Sequence, residues 1–237
     1  LPESSSDPVQ VESQLGIRLA EAQRRALKLA LQESMMVLTG GPGTGKTTTV
    51  QAILRALRGG GDDVVLAAPT GRAARRLSEA TGATATTIHR LLGFHPVEGF
   101  RYNDEEPLDA SAVVVDEASM LDQALAVALL RALKPGTRLI LVGDADQLPS
   151  VGAGNVLADI LNSQTVPTVE LEVVFRQAEQ SEIVTNAYRI LSGDIPETPE
   201  QVDTSDFFVV PADTPARAAE LIEQMVAERM PRRFGLD

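Results

Sequence analysis

Short apolar runs alternate with longer amphipathic stretches over most of this chain. Runs at residues 35–39, 64–68, 112–115, 138–142 and 166–171 each predict a buried strand. Between them, stretches such as Leu19–Leu31, Thr48–Leu57 and Leu121–Leu133 carry apolar residues at helical spacing and predict helices, as do residues 84–92 and 178–191. Strands alternating with helices predict an α/β fold with a doubly wound, mostly parallel sheet.

Three segments depart from this alternation. Residues 1–14 are rich in Ser, Pro and acidic residues and are expected to form a tail or linker. Residues 93–108 contain three aromatic residues around Glu98-Gly99 and predict a small inserted β-hairpin. Prolines interrupt residues 193–204, which we expect to link a first domain (15–192) to the start of a second (205–237). One predicted strand (Phe207–Val210) and one helix (Ala216–Met230) cannot close a core, so the second domain is incomplete.

The stretch after the first strand matches the phosphate-loop pattern G-x-x-x-x-G-K-[ST]. Its backbone N–H groups, together with the N-terminus of the next helix, favour binding of a polyphosphate such as that of ATP. Lys46 would reach the β- and γ-phosphates and Thr47 would hold Mg²⁺. The candidate nucleotide-binding residues are Gly41, Pro42, Gly43, Thr44, Gly45, Lys46, Thr47 and Thr48.

Polar residues at the ends of later strands complete a candidate ATPase site. Asp116 follows V-V-V and is placed to hold Mg²⁺, while Glu117 would orient or deprotonate the attacking water. Gln147 either senses the γ-phosphate or caps a turn. Arg176 either forms a structural ion pair or reaches the γ-phosphate across a cleft.

The composition and net charge of the chain argue against several classes of protein. The net charge of −12 argues against a histone-like coating of nucleic acid but leaves a local basic groove open. Without cysteine the chain has no disulfide or thiolate metal site, and its two histidines lack metal-ligand spacing, so we predict no zinc. No stretch is long and apolar enough for a membrane span, and a cytoplasmic location is expected.

Three features near the second strand leave alternatives open. The arginines at 72, 75 and 76 are either solvated, with Glu79 as partner, or contact phosphate, and we retain Arg72 as the DNA-contact candidate. Histidine at position 89 is more typical of packing or capping than of catalysis. The hairpin is either an ordinary surface feature or touches nucleic acid.

Seven ordered motifs resemble those of the RecD-like branch of superfamily 1 DNA helicases (superfamily 1B). They are L-A-E-A-Q-R-R-A, G-G-P-G-T-G-K-T-T, A-P-T-G-R-A-A-R-R-L, T-I-H-R-L-L, V-V-V-D-E-A-S-M-L-D, L-V-G-D-A-D-Q-L-P-S-V-G-A-G-N and V-F-R-Q. The resemblance covers residues 15–192 and implies a RecA-like P-loop fold. The two later helicase motifs are absent from this sequence, so the chain resembles a first RecA-like domain plus the start of a second.

The resemblance implies further roles at the matching positions. Gln23 would read the adenine, Gln147 would couple the γ-phosphate to DNA, and Arg176 would act as the arginine finger. The single-stranded DNA contacts would be Pro69, Thr70, Thr86 and His89. The hairpin would lie near the strand-separation point, where Phe94, Phe100 and Tyr102 are candidates. Movement would run 5′ to 3′ on single-stranded DNA and at duplex junctions, in DNA repair or recombination.

We therefore expect an ATP- and Mg²⁺-dependent DNA helicase, whose isolated fragment binds nucleotide better than it hydrolyses it. Two other classes stay open at this point. A P-loop kinase would use ATP regardless of DNA, and a non-catalytic module would use nucleotide only to regulate docking. The sequence does not specify any nuclease or repair partner.

Overall fold

A computed structural model describes residues 8–174, 181–198 and 205–235. Its internal contacts divide the chain into two compact units, residues 1–178 and 179–237, which we describe separately. In the described residues no helix has both the length and the apolar composition needed to cross a bilayer.

The first unit is built on a parallel sheet and a separate hairpin. The strands are β1 (Met35–Gly40), β2 (Val64–Ala68), β3 (Ala85–Thr87), β4 (Phe94–His95), β5 (Gly99–Phe100), β6 (Ala112–Val115), β7 (Arg138–Gly143) and β8 (Thr168–Leu171). Six of them pair in the order β3-β2-β6-β7-β1-β8, and every pairing is parallel. The predicted doubly wound sheet is confirmed.

Helices connect these strands and cover both faces of the sheet. They are α1 (Pro8–Leu15), α2 (Glu21–Gln32), α3 (Lys46–Gly59), α4 (Gly71–Thr81), α5 (Ile88–Leu91), α6 (Gln123–Arg131) and α7 (Val156–Ser163), with a 3₁₀ turn at Ala118–Met120. In the described residues of this unit, side chains cap three of the helix starts, and at α5 the Thr87 hydroxyl accepts a hydrogen bond from the Arg90 N–H. The Thr70 hydroxyl accepts a hydrogen bond from the Ala73 N–H, and Asp122 accepts one from the Leu125 N–H.

Alternate side chains of each strand pack into two cores, one on each face of the sheet. Leu38, Val114 and Ile140 point to the core under α1, α2 and α3. Their neighbours Val37, Val113 and Leu141 point to the core under α5, α6 and α7. Both cores are apolar because a parallel sheet covered on two faces has no solvated side.

Two short elements differ from the sequence expectation. Residues 8–15 are helical instead of a tail, because Val11 is buried in the core under α1, α2 and α3, and Glu12 accepts hydrogen bonds from the Leu19 N–H and the Arg24 guanidinium. The predicted helix at 84–92 is strand β3 followed by the single turn α5. The β-branched residues Thr86 and Thr87 form a strand here because they pair in parallel with β2.

The second unit contains α8 (Glu182–Leu191), α9 (Pro215–Gln224), a π-helical turn (Met225–Arg229) and α10 (Met230–Phe234). The buried Asn186 amide donates to the Glu197 carbonyl and accepts from its N–H. The predicted helix at 216–230 is confirmed, whereas residues 207–210 form no strand, since no neighbouring strand pairs with them in the described chain. The unit begins at residue 179, before the predicted linker at 193–204.

Candidate nucleotide and DNA site

The phosphate loop joins β1 to α3, and its glycines are required by the backbone path. Gly43 and Gly45 have φ angles of 76° and 82°, in the left-handed region that favours glycine. A Cβ at Gly40 would lie 2.6 Å from the Leu171 carbonyl oxygen and 2.8 Å from Thr44 Oγ1. The loop thus passes too close to β8 for any side chain at residue 40, and it delivers the N-terminus of α3 at Lys46.

Lys46 lies over its own loop. Its Nζ donates hydrogen bonds to the carbonyl oxygens of Gly40, at 2.5 Å, and Gly41, at 2.9 Å. Burial lowers the pKa of the Lys46 ammonium. The charges that oppose this shift are the carboxylates of Asp144, Glu117 and Asp116.

The sheet order explains why these carboxylates meet Lys46. β7 lies between β6 and β1, so the carboxyl ends of all three parallel strands share one edge. Asp116 follows β6 and its N–H donates to the Ala67 carbonyl of β2. Burial raises the pKa of Asp116, against the Glu117 backbone N–H and the Lys46 charge. The predicted metal and phosphate residues are thus brought together.

Glu117 has a constrained backbone at this edge. Its φ and ψ are 54° and 42°, a left-handed conformation that costs a non-glycine residue about 1 kcal/mol or more. Burial raises the pKa of the Glu117 carboxyl, and the adjacent Asp116 raises it further. Lys46 and Arg76 act in the opposite direction, while Asp144 adds to the upward shift.

Asp144 is a site residue that the sequence analysis did not single out. It is 3% exposed at the end of β7 and its charge acts on Lys46. Its Oδ1 accepts from the Asp146 N–H at 3.1 Å and its Oδ2 from Gln147 Nε2 at 3.4 Å. Gln147 itself is exposed and therefore depends on Asp144 for its position. The signal available in the sequence was the carboxylate directly after the strand, in G-D-A-D-Q.

Gln23 lies under the phosphate loop. It is 2% exposed, its Oε1 accepts from the Ala20 N–H at 3.0 Å, and its Nε2 donates to the Gly45 carbonyl at 3.3 Å. Beside it, α2, the phosphate loop and the end of β8 line a cleft of about 730 Å³ that includes Gln23, Thr44 and Glu170. Both ends of the amide are engaged with backbone, so adenine reading by Gln23 stays a prediction.

The candidate DNA residues gather at the carboxyl ends of β2 and β3. Pro69 and Thr70 follow β2, and Thr86 pairs with Ala67 across the β2–β3 ladder. The Thr70 hydroxyl caps α4, whereas the buried Thr86 Oγ1 has no hydrogen-bond partner among the described residues. Arg72 is exposed on the first turn of α4.

The hairpin is fastened to this edge by aromatic contacts. The exposed His89 ring lies 5.4 Å from the Phe94 ring, edge on, and 5.8 Å from the Phe100 ring. Phe94 and Phe100 are cross-strand partners with ring centroids 5.0 Å apart. Phe100 and Tyr102 pack against the core under α5, α6 and α7, while Phe94 is 47% exposed. At the hairpin tip Val97, which the sequence analysis passed over, is 87% exposed.

The remaining predicted residue, Arg176, lies outside the described residues, so its role as an arginine finger stays a prediction. Most of the other predicted nucleotide, metal and DNA residues lie at one edge of the sheet, while Gln23 lies on α2 beneath the phosphate loop and His89 on α5. This is the edge at which ligands bind in open α/β sheets.

Comparisons with known proteins agree with this geometry. A family model described as an AAA domain matches residues 18–210. The chain is 48% identical over 178 residues to the ATP-dependent RecD2 DNA helicase of Deinococcus radiodurans, covering 75% of this chain and 24% of that protein. It is 43% identical over 199 residues to the RecBCD enzyme subunit RecD of Mycobacterium tuberculosis, covering 73% and 35%. The chain therefore spans well under half the length of these curated relatives.

A solved structure shows the same fold. The crystal structure of Pif1 helicase from Candida albicans matches with a TM-score of 0.56 and 25% sequence identity, over 76% of this chain and 46% of that one.

Proposed function

Since this chain belongs to the AAA-domain family, and within it to the RecD-like superfamily 1 helicases, we propose that it carries the nucleotide site of an ATP-dependent DNA helicase moving 5′ to 3′. One observation supports the proposal above all others. Lys46, Asp116, Glu117 and Asp144 meet at the edge where β1, β6 and β7 end.

ATP would bind with its phosphates in the loop 40–47. Lys46 would exchange its bonds to the Gly40 and Gly41 carbonyls for bonds to phosphate oxygens. Glu117 would accept the proton of the attacking water, for which a pKa raised by burial suits it. Gln147 would report the γ-phosphate through its link to Asp144.

The residues of this edge suit Mg²⁺. Three carboxylates act on one ammonium, and a divalent cation would balance that excess negative charge. The Thr47 hydroxyl and the Asp116 carboxylate supply oxygen donors, and Mg²⁺ takes its remaining ligands from water and phosphate. When bound, the ion would neutralise charge on the phosphates.

Single-stranded DNA would follow the edge at β2 and β3. Exposed Arg72 supplies a positive charge there. The Thr86 hydroxyl, which is buried and lacks a hydrogen-bond partner among the described residues, would reach DNA only after a local shift of this edge. The exposed Phe94 and Val97 of the hairpin would meet the bases at the duplex junction. Phe100 and Tyr102 would support the hairpin from the core.

The test is the ATPase rate of the full-length protein with and without single-stranded DNA. Stimulation by DNA supports the motor, DNA-independent turnover supports a kinase-like enzyme, and absence of turnover supports a regulatory module. Unwinding of a duplex with a 5′ tail, but not of one with a 3′ tail, is expected. The reverse preference would contradict the proposed direction.

A further inference from the structure

The chain after β7 forms a loop, residues 144–155, that carries Gln147 and leads into α7. We call it the sensor loop, because Gln147 is the proposed γ-phosphate residue. At its start the Gln147 N–H donates to the Asp144 carbonyl at 3.3 Å, and Gln147 Nε2 donates to Asp144 Oδ2 at 3.4 Å. Both distances are long for a hydrogen bond, so this end of the loop constrains Gln147 only weakly.

The middle of the sensor loop is braced from within. Leu148 is 87% exposed and Val151 is 106% exposed, so neither side chain is buried against the domain. Ser150 Oγ lies 3.0 Å from the carbonyl oxygens of Gly152 and Gly154, and its single proton is shared between them. A movement of residues 152–154 is therefore passed back along the loop toward Gln147.

The far end of the sensor loop packs directly on the start of α6. There the Gln123 N–H donates to the Ala153 carbonyl at 3.0 Å. Gly152 stands against Asp122, the N-cap of α6, whose Oδ1 accepts from the Leu125 N–H at 2.8 Å. A Cβ at Gly152 would lie 2.8 Å from both Cβ and Cγ of Asp122 and would overlap its Oδ2.

This contact requires that Gly152 have no side chain, whereas its backbone conformation is open to other residues. The φ of Gly152 lies outside the left-handed region, so alanine can adopt it. Ordinary van der Waals contact begins near 3.4 Å, so an alanine would push the loop away from Asp122 by several tenths of an ångström. Asp122 cannot easily turn aside, because its other carboxylate oxygen caps α6.

The anchor of the sensor loop also lies next to the proposed catalytic carboxylates. Asp116 and Glu117 are followed by the 3₁₀ turn at Ala118–Met120, and Asp122 begins α6 two residues after that turn. One short segment therefore supplies both the acidic corner and the surface on which the loop carrying Gln147 rests.

We propose that Gly152 is a positioning residue, whose lack of a side chain lets the sensor loop pack on Asp122 and so fixes Gln147 for its response to the γ-phosphate. The inference rests on the proposed ATPase function and adds a residue to it. Gly152 touches neither nucleotide nor DNA in this scheme. It acts through Gln147.

The test uses the full-length protein with saturating single-stranded DNA, and measures kcat and KM for ATP together with the Kd of a fluorescent ATP analogue. Gly152→Ala should lower kcat about tenfold, since a misplacement of about 1 Å costs about 100-fold and this shift is smaller. KM and Kd should stay within about twofold, because the phosphate loop is intact. The matched control is Gly60→Ala, at an exposed site with a φ of −81°, which should behave as wild type.

Two double variants separate positioning from a general structural effect. Asp122→Gly removes the three atoms that an alanine at residue 152 would meet, and glycine is itself accepted as an N-cap. Added to Gly152→Ala, it should restore kcat to within about threefold of Asp122→Gly alone. In the Gln147→Ala background, adding Gly152→Ala should lower kcat no further, because the residue through which it acts is already gone.

The inference would be overturned by unaltered kcat in Gly152→Ala, by absence of restoration with Asp122→Gly, or by a further loss in the Gln147→Ala background. Should Gly152→Ala fail to fold, Ser150→Ala removes the internal brace without adding an atom. It should then lower kcat with KM unchanged, and an unaltered kcat would overturn the inference. A wild-type protein without DNA-stimulated turnover would remove the proposed function itself, whereas an active wild type with an unaffected Gly152→Ala removes only the role of Gly152.

Discussion

Replacing Gln23 by alanine tests whether this residue anchors the phosphate loop. The structure gives it two backbone bonds, from the Ala20 N–H and to the Gly45 carbonyl, in a side chain that is 2% exposed. Each bond contributes about 1 kcal/mol net, so Gln23→Ala should cost about 2 kcal/mol. For a chain of this size that corresponds to a fall of about 4–8 °C in Tm.

The assay is thermal unfolding followed by circular dichroism without nucleotide, paired with Kd values for ATP and GTP. A loosened loop weakens both nucleotides by the same factor, about tenfold for ~1.4 kcal/mol of lost anchoring. Gln32→Ala is the control, because Gln32 is exposed at the end of the same helix and should change stability by less than about 0.5 kcal/mol. An unchanged Tm with a loss confined to ATP would refute the anchoring role and assign Gln23 to the adenine.

Three further changes address other parts of the structure. Gly40→Ala should abolish ATP binding in an equilibrium titration, because its Cβ would lie 2.6 Å from the Leu171 carbonyl oxygen, whereas Gly71→Ala, at a helical site with no neighbour within 4 Å and no left-handed backbone, should spare it. Hydrogen bonds from the Leu19 N–H and Arg24 lower the pKa of Glu12 below 4.5, so its contribution to stability is present above that pH and lost as the pH falls further. The Tm difference between wild type and Glu12→Gln should therefore be largest near neutrality and shrink as the pH falls below the ordinary pKa of a glutamate; a constant difference would contradict this. Phe94→Ala should impair unwinding while leaving DNA-stimulated ATPase unchanged. Normal unwinding by this variant would indicate that the hairpin is an ordinary surface feature.

The sheet and the phosphate loop were predictable because local sequence specifies them. Continuous apolar runs predict buried parallel strands, and the loop pattern requires glycines wherever the backbone turns. β3 was missed because three residues are too few to show the alternation of apolar and polar side chains that identifies a strand. These residues form a strand only because they pair with β2. Helix α1 was missed for a similar reason, since it is held by the tertiary contacts of Val11 and Glu12.

Individual site residues were predictable only where phosphate or metal binding restricts the type of side chain. Lys46 and the acidic pair Asp116-Glu117 have few substitutes for phosphate and metal binding, so their types at strand ends are informative. The bonds of Gln23 and the burial of Asp144 depend on which strands become neighbours, which no local pattern reports. Similarly, the aromatic residues of the hairpin look alike in the sequence, and only the fold separates exposed Phe94 from Phe100 on the core.

The proposed nucleotide residues and the proposed DNA residues lie along one continuous sheet edge, which limits how the two sites could be coupled. The Asp116 N–H donates directly to the Ala67 carbonyl, one strand residue before the segment that leads to Thr70 and α4. We expect β2 to share any shift of the β6 end on the proposed ATP hydrolysis, because breaking that bond at half-buried Asp116 would cost about 0.5–1.5 kcal/mol. We infer that the end of β2 and helix α4 move as one body with the Asp116-Glu117 corner. If the proposed function is right, ATP and DNA sites would be coupled directly through the ends of β6 and β2. Substitutions in α4 that leave binding of both ligands intact should then still reduce the stimulation of ATP hydrolysis by DNA.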